Sequence, residues 1–141
     1  MQPYRVAVDF DGTLVRHKYP DIGSIVSGAF QWLLRWQQAG AKLILWTMRH
    51  DSEQAGPVLT DAVEFCRMQG IEFDGVNAGP GDRAWTGSPK AYAHCYVDDA
   101  GFGCPLITPM NGDRPYVNWS VVGPAVLDLI VQHNKERTNG V

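Results

Sequence analysis

Cysteine is scarce in this 141-residue chain, with Cys66, Cys95 and Cys104 the only three. No two of them stand at C-x-x-C spacing and their number is odd, so a disulfide framework or zinc ribbon is not expected. Free thiols in a reducing cytoplasm fit better. Long apolar runs are missing too: none approaches the ~18 residues of a membrane-spanning helix. Excess basic charge is also absent, with a net charge of −3 at pH 7. That removes the electrostatic footprint of a duplex-DNA binder. A local phosphate site survives the exclusion, because a few cations beside a metal reverse the field around them. Gly101-Phe102-Gly103 lacks the third glycine of a dinucleotide fingerprint, with Leu106 in its place, and there is no Walker lysine motif. His17, His50, His94 and His133 show no metal-ligand spacing. From Met1 the chain leads straight into a strand-like run, so no secretory leader is expected. Without secretion, the sequon Asn118-Trp119-Ser120 carries no meaning.

What remains is a chain 45% hydrophobic and 11% aromatic, too apolar for disorder. One domain is expected over residues 1–133, followed by a polar tail over 134–141 that should fray. Arg5-Val6-Ala7-Val8-Asp9-Phe10 reads as a buried strand. Ile22, Ile25, Val26, Ala29, Phe30 and Leu33 recur at helical spacing, with Gly40 as the stop signal. Lys42 to Trp46 forms a second strand. Val58, Leu59, Ala62, Val63 and Cys66 mark a helix opened near Pro57 and closed by Gly70. Further strands are expected over Ile71 to Val76 and Cys95 to Val97, and a last helix from Pro124 through Val131. This alternation predicts an α/β fold, a mostly parallel central sheet with helices on both faces. Ligands in such sheets bind beyond the carboxyl ends of the strands, so the residues just after each strand matter most.

Asp9 and Asp11, in Asp9-Phe10-Asp11-Gly12-Thr13-Leu14, stand two residues apart at a strand end, on one side of the chain. Gly12 frees the backbone to turn after the second acid. Two carboxylates so close do not both ionise cheaply unless a cation intervenes. With a metal and a lysine nearby, one becomes a nucleophile and the other a general acid. Asp98-Asp99 ends a later strand and offers hard oxygen ligands suited to Mg2+. Thr47 ends Leu45-Trp46-Thr47, where its hydroxyl and the neighbouring backbone, Met48 included, suit a phosphate oxygen. Ser88-Pro89-Lys90 reads as the start of a helix that points Lys90 at an anion.

The order DxDGT, strand-end Thr, Lys and Asp-Asp, running from Asp9 to Asp99, resembles the haloacid dehalogenase (HAD) superfamily of phosphotransferases. A response-regulator receiver uses similar residues in a different order. The resemblance implies a Rossmannoid three-layer sandwich in which Asp9 attacks phosphorus and forms an aspartyl phosphate. Asp11 would protonate the leaving oxygen and then activate water. Mg2+ would be held by Asp9, the backbone carbonyl of Asp11 and Asp98, with Asp99 supporting the metal or Lys90. Thr47, Met48 and Lys90 would bind the phosphoryl group. Neither interval in which the superfamily inserts a cap is long enough here to hold a cap domain.

The glycine-rich stretch Asn77 to Trp85 is expected to carry Arg83 and Trp85 to the same edge, with Arg49 nearby, to read a nucleotide or sugar phosphate. The expected activity is therefore Mg2+-dependent phosphomonoester hydrolysis of a phosphorylated small molecule. Two alternatives stand beside it: a polynucleotide 3′-phosphatase, disfavoured by the charge, and a non-catalytic phosphate-binding or scaffolding module on the same fold.

Overall fold

The structure is a computed structural model that describes residues 2–140. Met1 and Val141, the outer ends of the expected domain and tail, lie outside the described residues. Strand β1 (Arg5–Val8) is a run of four buried residues and sits inside a parallel sheet, where a strand meets protein on both faces. It pairs with β2 (Lys42–Leu45) on one side and β4 (Cys95–Val97) on the other. Strand β3 (Gly75–Val76) extends the sheet beyond β2, giving the order β3-β2-β1-β4. Val8 stands opposite both Leu45 and Val97, so these three strands end level. The residues that follow them share one edge.

The two faces of the sheet are covered unequally. Val6, Val8, Leu43, Leu45 and Val97 join one apolar core with α1 (Ala29–Gln38), α2 (Val58–Met68) and α4 (Trp119–Asn139). Ala7 and Ile44 alternate onto the opposite face, which carries α3 (Asp82–Trp85), a single turn, and an irregular loop. On that side Arg5 is buried in an ion pair with Asp82 at 2.9 Å. The expected helices on both faces are therefore a correction: three helices stand on one face, and the other is thinly covered.

Other boundaries move as well. The α1 helix begins at Ala29, not near Ile22, because residues 22–28 form an extended strap in which Ile25 bridges to Val15. Apolar spacing in that strap matched a helix by coincidence of burial. Only Gly75 and Val76 of the expected 71–76 strand pair with β2. No helix starts at Ser88; its hydroxyl accepts from the Lys90 amide in a local turn. An antiparallel hairpin, β5 (Leu106–Ile107) and β6 (Tyr116–Val117), was not foreseen. The last helix starts five residues before Pro124, capped by the Asn118 side chain on the Ser120 amide. It also continues to Asn139, so the expected fraying tail is helical almost throughout. His133 meets the Gln2 carbonyl at 2.6 Å and Asn134 donates to the Ala39 carbonyl at 2.7 Å, which pins this end to the body.

The α1–α4 contact depends on the small size of Gly123. A Cβ there would fall 2.2 Å from the Trp32 ring. The Trp36 indole donates to the Gly123 carbonyl at 3.0 Å and lies tilted against Trp119, with ring centres 5.2 Å apart. Among the described residues no helix is long and apolar enough to cross a membrane.

At the amino end of β1, the Arg5 amide donates to His94 Nδ1 at 3.0 Å, and the His94 ring stacks on Tyr4 and meets His133. Burial first, then the charges of His133 and Arg5, hold the His94 pKa below its usual value. The folded chain therefore binds a proton at His94 less readily than the unfolded chain does. The contribution of His94 to stability should therefore fall as pH drops below about 6.5, where unfolded histidine takes up its proton. From pH 7 to pH 5 the urea midpoint of the native protein should fall relative to that of His94→Asn, which keeps an acceptor for Arg5 without titrating. Parallel pH profiles in the two proteins would show that His94 adds no such dependence.

Candidate functional site

The edge where β1, β2 and β4 end opens into a cavity of about 480 Å³. Its wall includes Asp9, Asp11, Thr47, Met48, Asp98 and Asp99, so the structure brings these six expected residues together. Asp9 is held at the mouth of β1 by its amide, which donates to the Val97 carbonyl at 2.9 Å. The chain then turns at Gly12, whose φ is +82°. A Cβ at Gly12 would lie 2.1 Å from His17 Nε2 and 2.4 Å from Asp99 Oδ2, so this turn needs glycine for space as well as for conformation. Thr13, fully buried, donates to Asp9 Oδ2 at 3.1 Å and accepts from the Asp99 amide at 3.2 Å. The Thr13 carbonyl takes the Trp119 indole N–H at 2.8 Å. One threonine thus ties both acidic motifs to α4.

One oxygen from each of Asp9, Asp98 and Asp99 lies within 4.8 Å of the others. Burial, then the contact with Asp99 and the charges of Asp98 and Asp99, push the Asp9 carboxyl up to about 8. Burial and Asp99 likewise raise Asp98. His17 Nε2 meets Asp99 Oδ2 at 2.8 Å. Three converging carboxylates at the end of a sheet suit a hard divalent cation such as Mg2+, and the donor set fits it. Asp11 contributes no side-chain oxygen to this group.

Asp11 is instead gripped by Arg49, with Nε to Oδ2 and Nη2 to Oδ1 both at 2.8 Å. The other guanidinium hydrogens reach the carbonyls of Pro20, Asp21 and Val58, at 3.3, 2.8 and 3.0 Å. Arg49 is only 3% exposed, and its N–H groups are all spent inside the protein. Its expected role as a substrate-binding cation is corrected: it is a structural clamp. Both oxygens of Asp11 accept from that clamp, so acting as the expected proton donor requires Asp11 to release at least one of them.

The second motif differs in detail from its expected form. The Thr47 amide donates to Asn77 Oδ1 at 2.9 Å, and its hydroxyl accepts from the Arg49 amide at 3.1 Å. The Met48 amide has no acceptor among the described residues and stands at the cavity wall. Lys90 does not line this cavity; its Nζ lies 5.4 Å from the centre of the Tyr96 ring. Arg83 and Trp85 are elsewhere as well. Arg83 donates to the Ser88 carbonyl, and Trp85 packs edge-on to Tyr92 in a recess shared with Gln2 and Arg5 at the amino end of β1. The Arg5–Asp82 pair causes this, drawing the glycine-rich loop across the thin face.

His17, Tyr19 and Arg114 line the cavity and escaped the sequence. His17 and Tyr19 belong to the loop just before the strap, and Arg114 to the unforeseen hairpin. Neither segment carries a motif.

This is an α/β protein with a four-stranded parallel sheet and an acidic cluster beyond the carboxyl ends of its strands. No family model matches the chain, and no curated protein matches it either. It does match the solved structure of a conserved protein from Bacteroides thetaiotaomicron, with 31% identity and a TM-score of 0.69. The match covers 90% of this chain and 92% of that one. The chain belongs to the same family as that conserved protein.

The crowded carboxylates should make the fold responsive to cations. Mg2+ at a hundred times its Kd should add about 2.7 kcal/mol to stability, read as a rise in Tm that EDTA reverses. Asp98→Asn should lose that rise. A Tm indifferent to Mg2+ in the native protein would show that the cluster holds no metal.

Arg49→Met should destabilise the fold by about 3–5 kcal/mol in urea titrations, because it strands Asp11 and three carbonyls in a largely buried setting. A loss below 1 kcal/mol would show that the clamp contributes little.

Proposed function

We propose that the protein is a Mg2+-dependent phosphomonoester hydrolase of the haloacid dehalogenase type that acts on a phosphorylated small molecule without a cap domain over its site. The observation that carries this reading is the convergence of Asp9, Asp98 and Asp99 in one cavity with Thr47 and Met48. Asp9 and Asp98, with Asp99 beside them, would hold Mg2+. Bound there, the cation neutralises the phosphate and the acids around it.

The residues of the chain do the rest. A carboxylate oxygen of Asp9 attacks phosphorus, the bond from phosphorus to the alcohol oxygen breaks, and that oxygen takes a proton from Asp11. Asp11 then takes a proton from water as the water attacks the aspartyl phosphate. The bond from Asp9 to phosphorus breaks and inorganic phosphate departs. To act in this way, Asp11 frees one oxygen from Arg49 once substrate is bound. The Met48 amide and the Thr47 hydroxyl receive phosphoryl oxygens. Thr13 keeps Asp9 aimed through its hydrogen bond to Oδ2. Most of the catalysis lies in placement and charge neutralisation, as phosphoryl transfer requires. The free thiols Cys66, Cys95 and Cys104 support a cytoplasmic setting.

Trapping with a labelled aryl phosphate tests the mechanism. Asp9→Asn should abolish both labelled protein and turnover, since an amide oxygen is a poor nucleophile. Asp11→Asn should slow turnover about 10²–10⁴-fold yet still accumulate label on Asp9, because an aryl leaving group needs little protonation. Turnover surviving in Asp9→Asn, or in excess EDTA, would overturn the hydrolase reading. Phosphate binding with no turnover of any ester would favour the scaffolding module.

A further inference from the structure

The cavity holds four carboxylates, those of Asp9, Asp11, Asp98 and Asp99, and a phosphomonoester brings two more negative charges. A divalent cation alone leaves that balance negative, so the site needs a further positive group facing the substrate. Two of the cavity's three basic side chains are committed. Arg49 spends its N–H groups on Asp11 and three carbonyls, and His17 is paired with Asp99. Lys90 lies outside, over Tyr96.

The third is Arg114, which lines the cavity from the hairpin and is exposed. Among the described residues it has no hydrogen-bond or ion-pair partner. Its place is set by the chain just beyond it. The Val117 amide donates to the Gly12 carbonyl at 3.0 Å, which fastens β6 to the turn after the first motif. Arg16 donates to the Tyr116 hydroxyl at 2.7 Å and lies over the same ring. The hairpin is thus bound to the segment that carries Asp11, and Arg114 stands at the cavity wall.

We propose that Arg114 is the residue that grips the substrate's phosphate, supplying the positive charge and the paired donors that the sequence pattern assigned to Lys90. A guanidinium fork suits a dianionic phosphate, to which it offers two parallel hydrogen bonds. The hairpin is then a substrate-binding element, and dianionic phosphomonoesters are preferred over monoanionic diesters. This inference rests on the hydrolase reading above, and the experiment is chosen to separate the two.

Binding of inorganic phosphate to the Mg2+-loaded protein is measured by calorimetry, alongside kcat/KM for an aryl phosphate. Arg114→Ala should weaken phosphate binding and lower kcat/KM about 10- to 100-fold, the range for losing a charge-assisted contact. Its Tm response to Mg2+ should persist, since Arg114 touches no carboxylate of the cluster. Arg114→Lys should recover part of the loss, and added guanidinium should raise the activity of Arg114→Ala. Arg114→Ala equal to the native protein in both measurements overturns the inference while leaving the hydrolase reading intact. So does a loss that follows Lys90→Ala instead. A native protein that binds no phosphate and cleaves no ester with Mg2+ overturns the hydrolase reading and this inference with it.

Discussion

Among the described residues, the buried guanidinium of Arg49 joins more separate segments than any other side chain. It binds Asp11 just beyond β1, the loop before the strap at Pro20 and Asp21, and the start of α2 at Val58. Arg49 itself follows β2, so a single planar group connects two central strands, the loop over them and a helix. Its faces lie against Phe10 and Tyr19, at 5.0 and 5.2 Å. A lysine would not replace it, because one ammonium cannot reach acceptors in a plane on three sides. The acidic cavity depends on this arrangement: with Asp11 drawn aside, Asp9, Asp98 and Asp99 form the cluster without it.

Strand β1 carries a buried ion pair near each end. Arg5 meets Asp82 at the amino end, and Asp11, just past the carboxyl end, meets Arg49. The first pair pulls the glycine-rich loop across the thin face, and the second pulls the strap across the opposite edge. Both make the chain between strands follow charge rather than helical propensity. That is why two connections that look ordinary in an α/β pattern are irregular.

Much of the architecture was legible in the sequence, for identifiable reasons. Strands β1, β2 and β4 are short apolar runs followed by acid or threonine, and parallel pairing demands that pattern. Helix α2 lies between Pro57 and Gly70 as its punctuation predicts. Asp9, Asp98 and Asp99 were readable because they follow strands, and strand ends are where such sheets gather their polar groups. The strap was misread because Ile22 and Val26 are partly or wholly buried without being helical, and burial alone mimics period 3.6. Arg49 was placed at the edge but given the wrong task, since nothing in a sequence reveals which carbonyls a guanidinium will find. Lys90 and Arg114 exchanged places for a related reason. Lys90 sits in a recognisable motif, while Arg114 reaches the cavity only through the pairing of two-residue strands ten residues apart.

The bond from the Trp119 indole to the Thr13 carbonyl spans 106 residues, and the one from His133 to Gln2 spans 131. A chain made from its amino end therefore emerges from the ribosome with every carboxylate of the cluster before it has the helix that fixes their positions. Until α4 has left the exit tunnel, the turn at Gly12 lacks its Val117 and Trp119 partners and the acids repel one another unsupported. The nascent protein must remain unfinished at its most charged point while most of its sheet is already available to pair. Co-translational assembly of the described fold therefore completes the site only once α4 is available to pack against the turn that carries its first acids.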